Sequence, residues 1–338
     1  MKIKVGLAYK NFAAHAGISH IGLGVSAQKN AEYLVRRGYE AVVVPCKNNI
    51  DLVEAIREHK FTHVVISAPW LSGLDVDTMV RHFKDVKFAI VSHSNIGFLQ
   101  ADPSALRLFR QYVLISKEVN NLQVGGNSAI FANWFSLVYE TSNLLLPNMY
   151  EVCEPCERRP CGDVIKIGTF GAIRPQKNVM TSAATAVLLS RMLNRPVEFH
   201  VSTGREDGGG GVILNSIRQM MIHLPNVELV ERHWSDWKQF KRIVHDMDIL
   251  FQMSYTESFN MVTADGVVEG VPSVTSNAIT WVPESWKAEA DNVFSVAETA
   301  IRLLENPEHE ACKGQQALRE HNENAFGHWL KFLSGHGI

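Results

Sequence analysis

Short apolar runs rich in β-branched residues alternate with longer amphipathic stretches along most of the chain. This alternation restricts the fold more than any other feature. In the first half, IKVGLAY, EAVVVP, THVVISAP, KFAIVSHS, YVLIS and LLLPN read as strands. Their near-continuous hydrophobicity suits strands buried on both faces, as a parallel sheet requires. Between them lie helical segments such as VSAQKNAEYLVRRG, which closes on Gly38, a residue suited to a helix stop. From Asp163 the pattern restarts with VIKIGTFG, VEFHVSTG, VELVERHW, DILFQMS and PSVTS, alternating with VMTSAATAVLLSRMLN and SDWKQFKRIVHDM. Repeated β–α alternation predicts an α/β protein of two Rossmann-like, doubly wound parallel-sheet domains.

The chain has 338 residues, more than one domain of roughly 100–200 residues needs. The segment EVCEPCERRPCGD, residues 151–163, is charged, proline-bearing and poor in apolar residues, as a linker is. It separates an expected first domain, residues 1–150, from a second, residues 164–317; a final helix over about residues 318–338 is expected to cross back onto the first. Cys153, Cys156 and Cys161 in that segment are three thiols, where a structural zinc site takes four ligands; they read as linker thiols. The D-x-D pairs Asp75–Asp77 and Asp246–Asp248 fall at a helix start and at a helix-to-strand junction, so no metal is expected.

A hydrophobic content of 46% supports ordinary cores, and a formal charge of −2 gives no global pull toward nucleic acid or acidic membrane. The five cysteines are odd in number and the opening MKIKVGLAYK holds an apolar run too short for a secretory segment, so a reduced, cytoplasmic setting is expected. No window approaches the roughly 20 apolar residues of a membrane-spanning helix.

Ligands of open parallel sheets bind outside the carboxyl ends of the strands, so the strand-to-helix loops carry the chemistry. In HIGLGVSAQKN, Gly22, Gly24 and Ala27 fit G-x-G-x-x-A. The strand ends well upstream, however, and the second strand closes on Pro45 and Cys46 rather than on a ribose-binding acid, which argues against a dinucleotide cofactor. The loop reads either as an anion-binding turn or as a turn that needs small residues. GTFGAIRPQKN presents Arg174 and Lys177 before a helix, suited to a diphosphate or equally to a solvated basic turn. His93 follows the strand KFAIVS, as a sugar contact, a proton donor or a structural histidine.

The fourth loop is FQMSYTESFNMVTADGVVEGVPSV. Thr256 or Ser258 is expected to cap a helix begun by Asn260, offering the amides of Asn260, Met261 and Val262 to a phosphate. Glu257 suits sugar hydroxyls; Asp265, eight residues on, stands roughly 80° away around the helix, so both acids border one cavity without meeting. The competing reading is a helix cap, with Glu257 favouring the dipole and Asp265 at the surface.

Taken in order, these segments resemble the retaining GT-B glycosyltransferases of glycosyltransferase family 4. The resemblance is carried by Glu257, Phe259 and the later acid ahead of Gly270 and Pro272. The basic loop FGAIRPQKN, the Gly22 loop with its helix ending at Gly38, His93, and the strand and Asn of LLLPN support it. It implies two domains facing a central cleft and a metal-independent transfer of sugar from a nucleotide-diphosphate sugar to an acceptor hydroxyl, with retained configuration.

By the same resemblance, Arg174 and Lys177 would hold the donor diphosphate and Glu257 the transferred sugar. Ser258, Phe259 and the amides of Asn260, Met261 and Val262 would line the sugar and phosphate, and Asp265 would take the ribose. His93, Gly22 and Gly24 would approach from the first domain. The chain departs from the family in Asp265, one carbon shorter than the usual Glu, and in Asn260, where a glycine is common; VSTGREDGGGG replaces the usual glycine loop. The acceptor is open: lipid, polysaccharide, small molecule, protein or modified nucleic acid. A nucleotide-sugar epimerase, a phosphorylase, or a binding protein without turnover are the alternatives.

Overall fold

The computed structural model describes residues 2–11, 21–100, 103–152 and 162–335. The chain divides into two compact units, one of residues 1–151 with 321–338 and one of residues 152–320. Cys153, Cys156 and Cys161 lie outside the described residues.

In the first unit the described strands and helices run β1 (Lys4–Lys10), α1 (Ile21–Arg36), β2 (Glu40–Cys46), α2 (Asn49–His59), β3 (His63–Ser67), α3 (Gly73–His82) and β4 (Lys87–Ser92). They continue with the short α4 (Ile96–Leu99), α5 (Pro103–Glu118), β5 (Leu122–Gly126), α6 (Ala129–Tyr139) and β6 (Leu144–Leu145). The strands pair in parallel in the order β2-β1-β3-β4-β5-β6. Side chains of a strand alternate between faces, and here both faces are covered. Val64, Ile66, Phe88 and Ile90 enter one core with Phe109, Phe131 and Phe135, while their neighbours Val65, Ala89 and Val91 enter another with Trp329 and Phe332. Burial on both faces is why the strands read as unbroken apolar runs.

YVLIS, expected as a strand, lies inside α5. Ala105, Phe109, Tyr112 and Val113 are buried, and that spacing is helical, so the apolar run is the buried stripe of a helix rather than a strand. The strand at this place is the glycine-bearing LQVGG. Its glycines admit a close neighbour: a Cβ on Gly125 would stand 2.0 Å from the Leu144 carbonyl oxygen.

The second unit runs β7 (Ile165–Thr169), a 3-10 turn (Pro175–Lys177), α7 (Val179–Leu193), β8 (Val197–Ser202), α8 (Gly210–Met221), β9 (Val227–Arg232) and α9 (Trp237–His245). Then follow β10 (Ile249–Gln252), α10 (Met261–Val268), β11 (Ser273–Thr275) and α11 (Val293–Glu305). Its parallel sheet has the order β11-β10-β7-β8-β9.

One continuous helix, α12 (Pro307–Ser334), gives residues 307–320 to the second unit and its remainder to the first. Within the first unit, Asn322 exchanges two hydrogen bonds with the Tyr150 backbone, at 2.9 and 2.8 Å, and the Trp329 indole donates to the Pro147 carbonyl at 2.9 Å. Among the described residues no helix is long and apolar enough to cross a membrane.

Candidate functional site

Strand order reverses between β10 and β7 in the second unit and between β1 and β3 in the first. A reversal opens a crevice at the carboxyl ends of the strands, where ligands of such sheets bind. In the second unit the two loops that leave β7 and β10 are the two that sequence reasoning singled out. They are tied together at several points. The Tyr255 amide donates to the Gln176 carbonyl at 2.9 Å, and the Lys177 ammonium forms an ion pair with Glu257 in which both side chains are largely buried. Burial by itself raises the Glu257 carboxyl. The Lys177 ammonium outweighs it, joined by the Ser254 hydroxyl at 2.8 Å and the charge of Arg174, and the group lies below the usual carboxylate range. Burial pulls the Arg174 guanidinium below its ordinary value, and Glu257 opposes that pull.

The β7 loop opens on Gly171, whose φ of 112° belongs to glycine. It ends on Asn178, in the left-handed region at φ 49°, whose side chain bonds the Ala290 carbonyl and accepts from the Thr181 hydroxyl at 2.8 Å. The loop REDGGGG, absent from the expected site, fixes its other side. Ile173 accepts from the Asp207 amide at 2.9 Å and donates to the Arg205 carbonyl at 3.0 Å. A Cβ on Gly210 would stand 2.2 Å from the Ile173 carbonyl oxygen, so the glycine run lets α8 begin against the basic loop. The glycine run was the visible signal; its partner loop was not.

The expected cap of α10 is corrected. Neither Thr256 nor Ser258 caps it; Asn260 is itself the cap, at φ 67°, and its side chain accepts the Thr263 amide. A short polar side chain that tolerates the left-handed region can cap from a backbone angle that Ser or Thr resists. Asn260 therefore precedes the helix, and Met261 and Val262 open it. Phe259 is buried, stacks on Trp281 at 5.3 Å between centroids, and its carbonyl accepts from the Trp281 indole at 2.6 Å. Asp265 is no surface acid: it is buried, and the Trp237 indole donates to it at 3.1 Å. Trp237 begins α9 after the β9 loop and was not foreseen, because only the tertiary fold brings it to Asp265.

The first unit's edge differs in kind. His93 follows β4, and its Nδ1 lies 3.4 Å from the Asn127 side-chain amide nitrogen. Burial pushes this imidazole down to about 4, so it is neutral at pH 7. Ser128 caps α6 and donates to Asn95. Gly22 and Gly24 lie in the first turn of α1 rather than in a turn ahead of it. Gly24 is small for a packing reason: its Cβ would come 3.2 Å from the Tyr9 ring. Among the described residues, a Cβ on Gly22 would meet nothing within 4 Å.

No family model matches the sequence, and no curated protein matches it. Solved structures do resemble the fold. Sucrose-phosphate synthase from Thermosynechococcus elongatus shares 14% identity at a TM-score of 0.65 over 99% of this chain and 98% of that one. HepE from Anabaena, solved in complex with UDP, shares 11% identity at 0.62 over 98% of each chain. TarM shares 15% identity at 0.60 over 84% of this chain, which spans 58% of the length of TarM. At these identities what is shared is the fold. The two parallel sheets with flanking helices are those of the GT-B glycosyltransferase fold.

Proposed function

We propose that the chain is a glycosyltransferase that moves a sugar from a nucleotide-diphosphate sugar to an acceptor hydroxyl. One observation carries the reading: Arg174, Lys177 and Glu257 converge from two loops at the strand-order reversal of the second sheet. The leaving group of such a donor is a diphosphate, and its developing charge is the quantity to stabilise. Arg174 and Lys177 are the cations for that task, with the amides that open α10 beside them. Glu257 would accept the hydroxyls of the transferred sugar, and Asp265, oriented by Trp237, would accept the ribose. UDP, held by the similar HepE, is the first nucleotide to try.

Retention of configuration follows the family resemblance. One carboxylate oxygen of Glu257 already takes hydrogen bonds from Lys177, Ser254 and Asn260, which fits an acceptor of hydrogen bonds better than an attacking nucleophile. Departure and attack on the same face of the sugar is therefore the mechanism proposed. The first unit would present the acceptor, with His93 as a neutral donor.

The test is incubation with a panel of nucleotide sugars and an acceptor library, followed by mass spectrometry. A product heavier than its acceptor by one sugar, with the donor's anomeric configuration by NMR, is the expected result. A donor converted to an isomer without any transfer would replace this reading with an epimerase.

A further inference from the structure

Asn260 stands where the resembling family commonly has glycine, and its surroundings explain why a side chain is there. We propose that Asn260 is a positioning residue for Glu257, and not a ligand of the donor; the inference rests on the donor-binding reading above. Its backbone, φ 67° and ψ 92°, lies in a region that glycine enters freely and Asn tolerates. Glycine would satisfy the backbone and leave the side-chain bonds unmade.

Those bonds form a chain whose polarity is fixed at both ends. The Phe170 carbonyl can only accept, so Gln252 turns its Nε2 toward it, at 3.5 Å. Gln252 is thereby left with Oε1 facing Asn260, and takes the Asn260 Nδ2 at 3.1 Å. At the other end the Thr263 amide can only donate, and the Asn260 Oδ1 receives it at 2.9 Å together with the Thr263 hydroxyl at 3.1 Å. The side-chain amide of Asn260 has two N–H donors. One goes to Gln252, and the second goes to the Glu257 Oε1 at 3.2 Å.

Asn260 is 5% exposed, so this is a buried amide with every polar site engaged. It links the end of β7, the end of β10 and the start of α10 to a single carboxylate oxygen. Lys177 holds that oxygen by charge from the neighbouring loop; Asn260 holds it from the helix start without adding charge. With the Ser254 hydroxyl, which reaches the same oxygen at 2.8 Å from the loop after β10, the three restraints come from different places in the fold and together fix the orientation of the carboxylate; Asn260 is the one that ties it to the helix start.

The Asn260→Asp and Asn260→Gly variants separate positioning from capping. Aspartate caps a helix as well as asparagine does but turns the donor on Glu257 into a second acidic group. Glycine keeps the backbone and removes both functions. Three readouts are needed: the melting temperature, the carboxyl carbon-13 titration of Glu257 in the free protein, and kcat and KM for the donor across pH.

For N260D we expect a melting temperature a few degrees below that of the parent protein at neutral pH, and with it a Glu257 titration raised by a full pH unit or more, because two acids then share the site. The acid limb of kcat should follow it upward, with kcat at pH 7 at least tenfold lower and KM within threefold. For N260G, kcat should fall to a similar extent with a smaller upward shift, since a donor is lost and no second acid is added. The inference is overturned if N260D matches the parent protein in both the Glu257 titration and kcat, the behaviour of a cap alone, or if N260G keeps kcat within twofold. Should the parent protein turn over no donor, the donor reading fails, and the Glu257 titration in N260D still decides the positioning claim.

Discussion

The loops after β7 and β10 of the second sheet differ in character from those after β4 and β5 of the first. At the reversal of the second sheet, cations and an acid are brought together under burial: Arg174, Lys177 and Glu257, with the carboxylate held ionised by its partners. After β4 and β5 of the first, the polar residues are neutral: His93 with its imidazole pushed down to about 4, Asn127, Ser128 and Asn95. Two sheets built by one pattern of alternation have thus been given different chemistry through their loops alone. The lesson is that the fold supplies the places and the loops supply the charge. On the proposed reading the charged edge serves an anionic donor and the neutral edge serves a hydroxyl.

The sharpest way to break this contrast is to discharge the second edge. Lys177→Met is expected to lower turnover about 10²–10³-fold, the scale of removing one preorganised donor from developing charge. It should also destabilise the protein by about 3 kcal/mol, since it leaves a buried carboxylate with one neighbour fewer. Adding Glu257→Gln should restore the melting temperature while turnover stays low, which urea unfolding and donor consumption would separate. A double variant that stays as unstable as the single one would mean that the pair contributes little.

The first edge should respond more weakly. His93→Ala is expected to lower kcat roughly tenfold, with a pH profile between 6 and 8 unchanged, because the imidazole is already neutral there. A loss of pH dependence in that range would show instead that the ring titrates near its ordinary value.

The smallest effect is on stability alone. His63 is buried against Phe332, 5.3 Å between ring centroids, and burial, with Lys87 beside it, pushes its imidazole down to about 4. The folded form thus binds this proton less readily than the unfolded chain, near 6.5. Stability is then full above about 6.5 and is lost as pH falls from there toward 4. In His63→Leu that slope should flatten, recovering roughly 5 °C of the acid-induced fall in melting temperature. An unchanged slope would place the acid sensitivity elsewhere.

Most of the fold was legible in the sequence, because strands buried on both faces leave apolar runs that need no tertiary knowledge to see. Where that signal thinned, the reading slipped: β5, carrying two glycines to admit Leu144, is a weak strand pattern beside the strongly apolar stripe of α5. In the candidate site, Arg174, Lys177 and Glu257 were legible by type and order. Asn260 was visible only as a departure, since a left-handed cap has no signature beyond the residue that tolerates it. The roles of Trp237 and of the REDGGGG loop were hidden, although the glycine run itself was visible, because each acts on a residue far away in sequence: Trp237 on Asp265 and Gly210 on Ile173.

The most direct test of the central claim, a diphosphate site made by Arg174 and Lys177, is calorimetric titration with UDP and with UMP, on the parent protein and on Lys177→Met. UDP should bind at least tenfold more tightly than UMP to the parent protein, and the difference should collapse in the variant. Equal affinity for the two nucleotides, or an undiminished preference for UDP after Lys177 is removed, would contradict it.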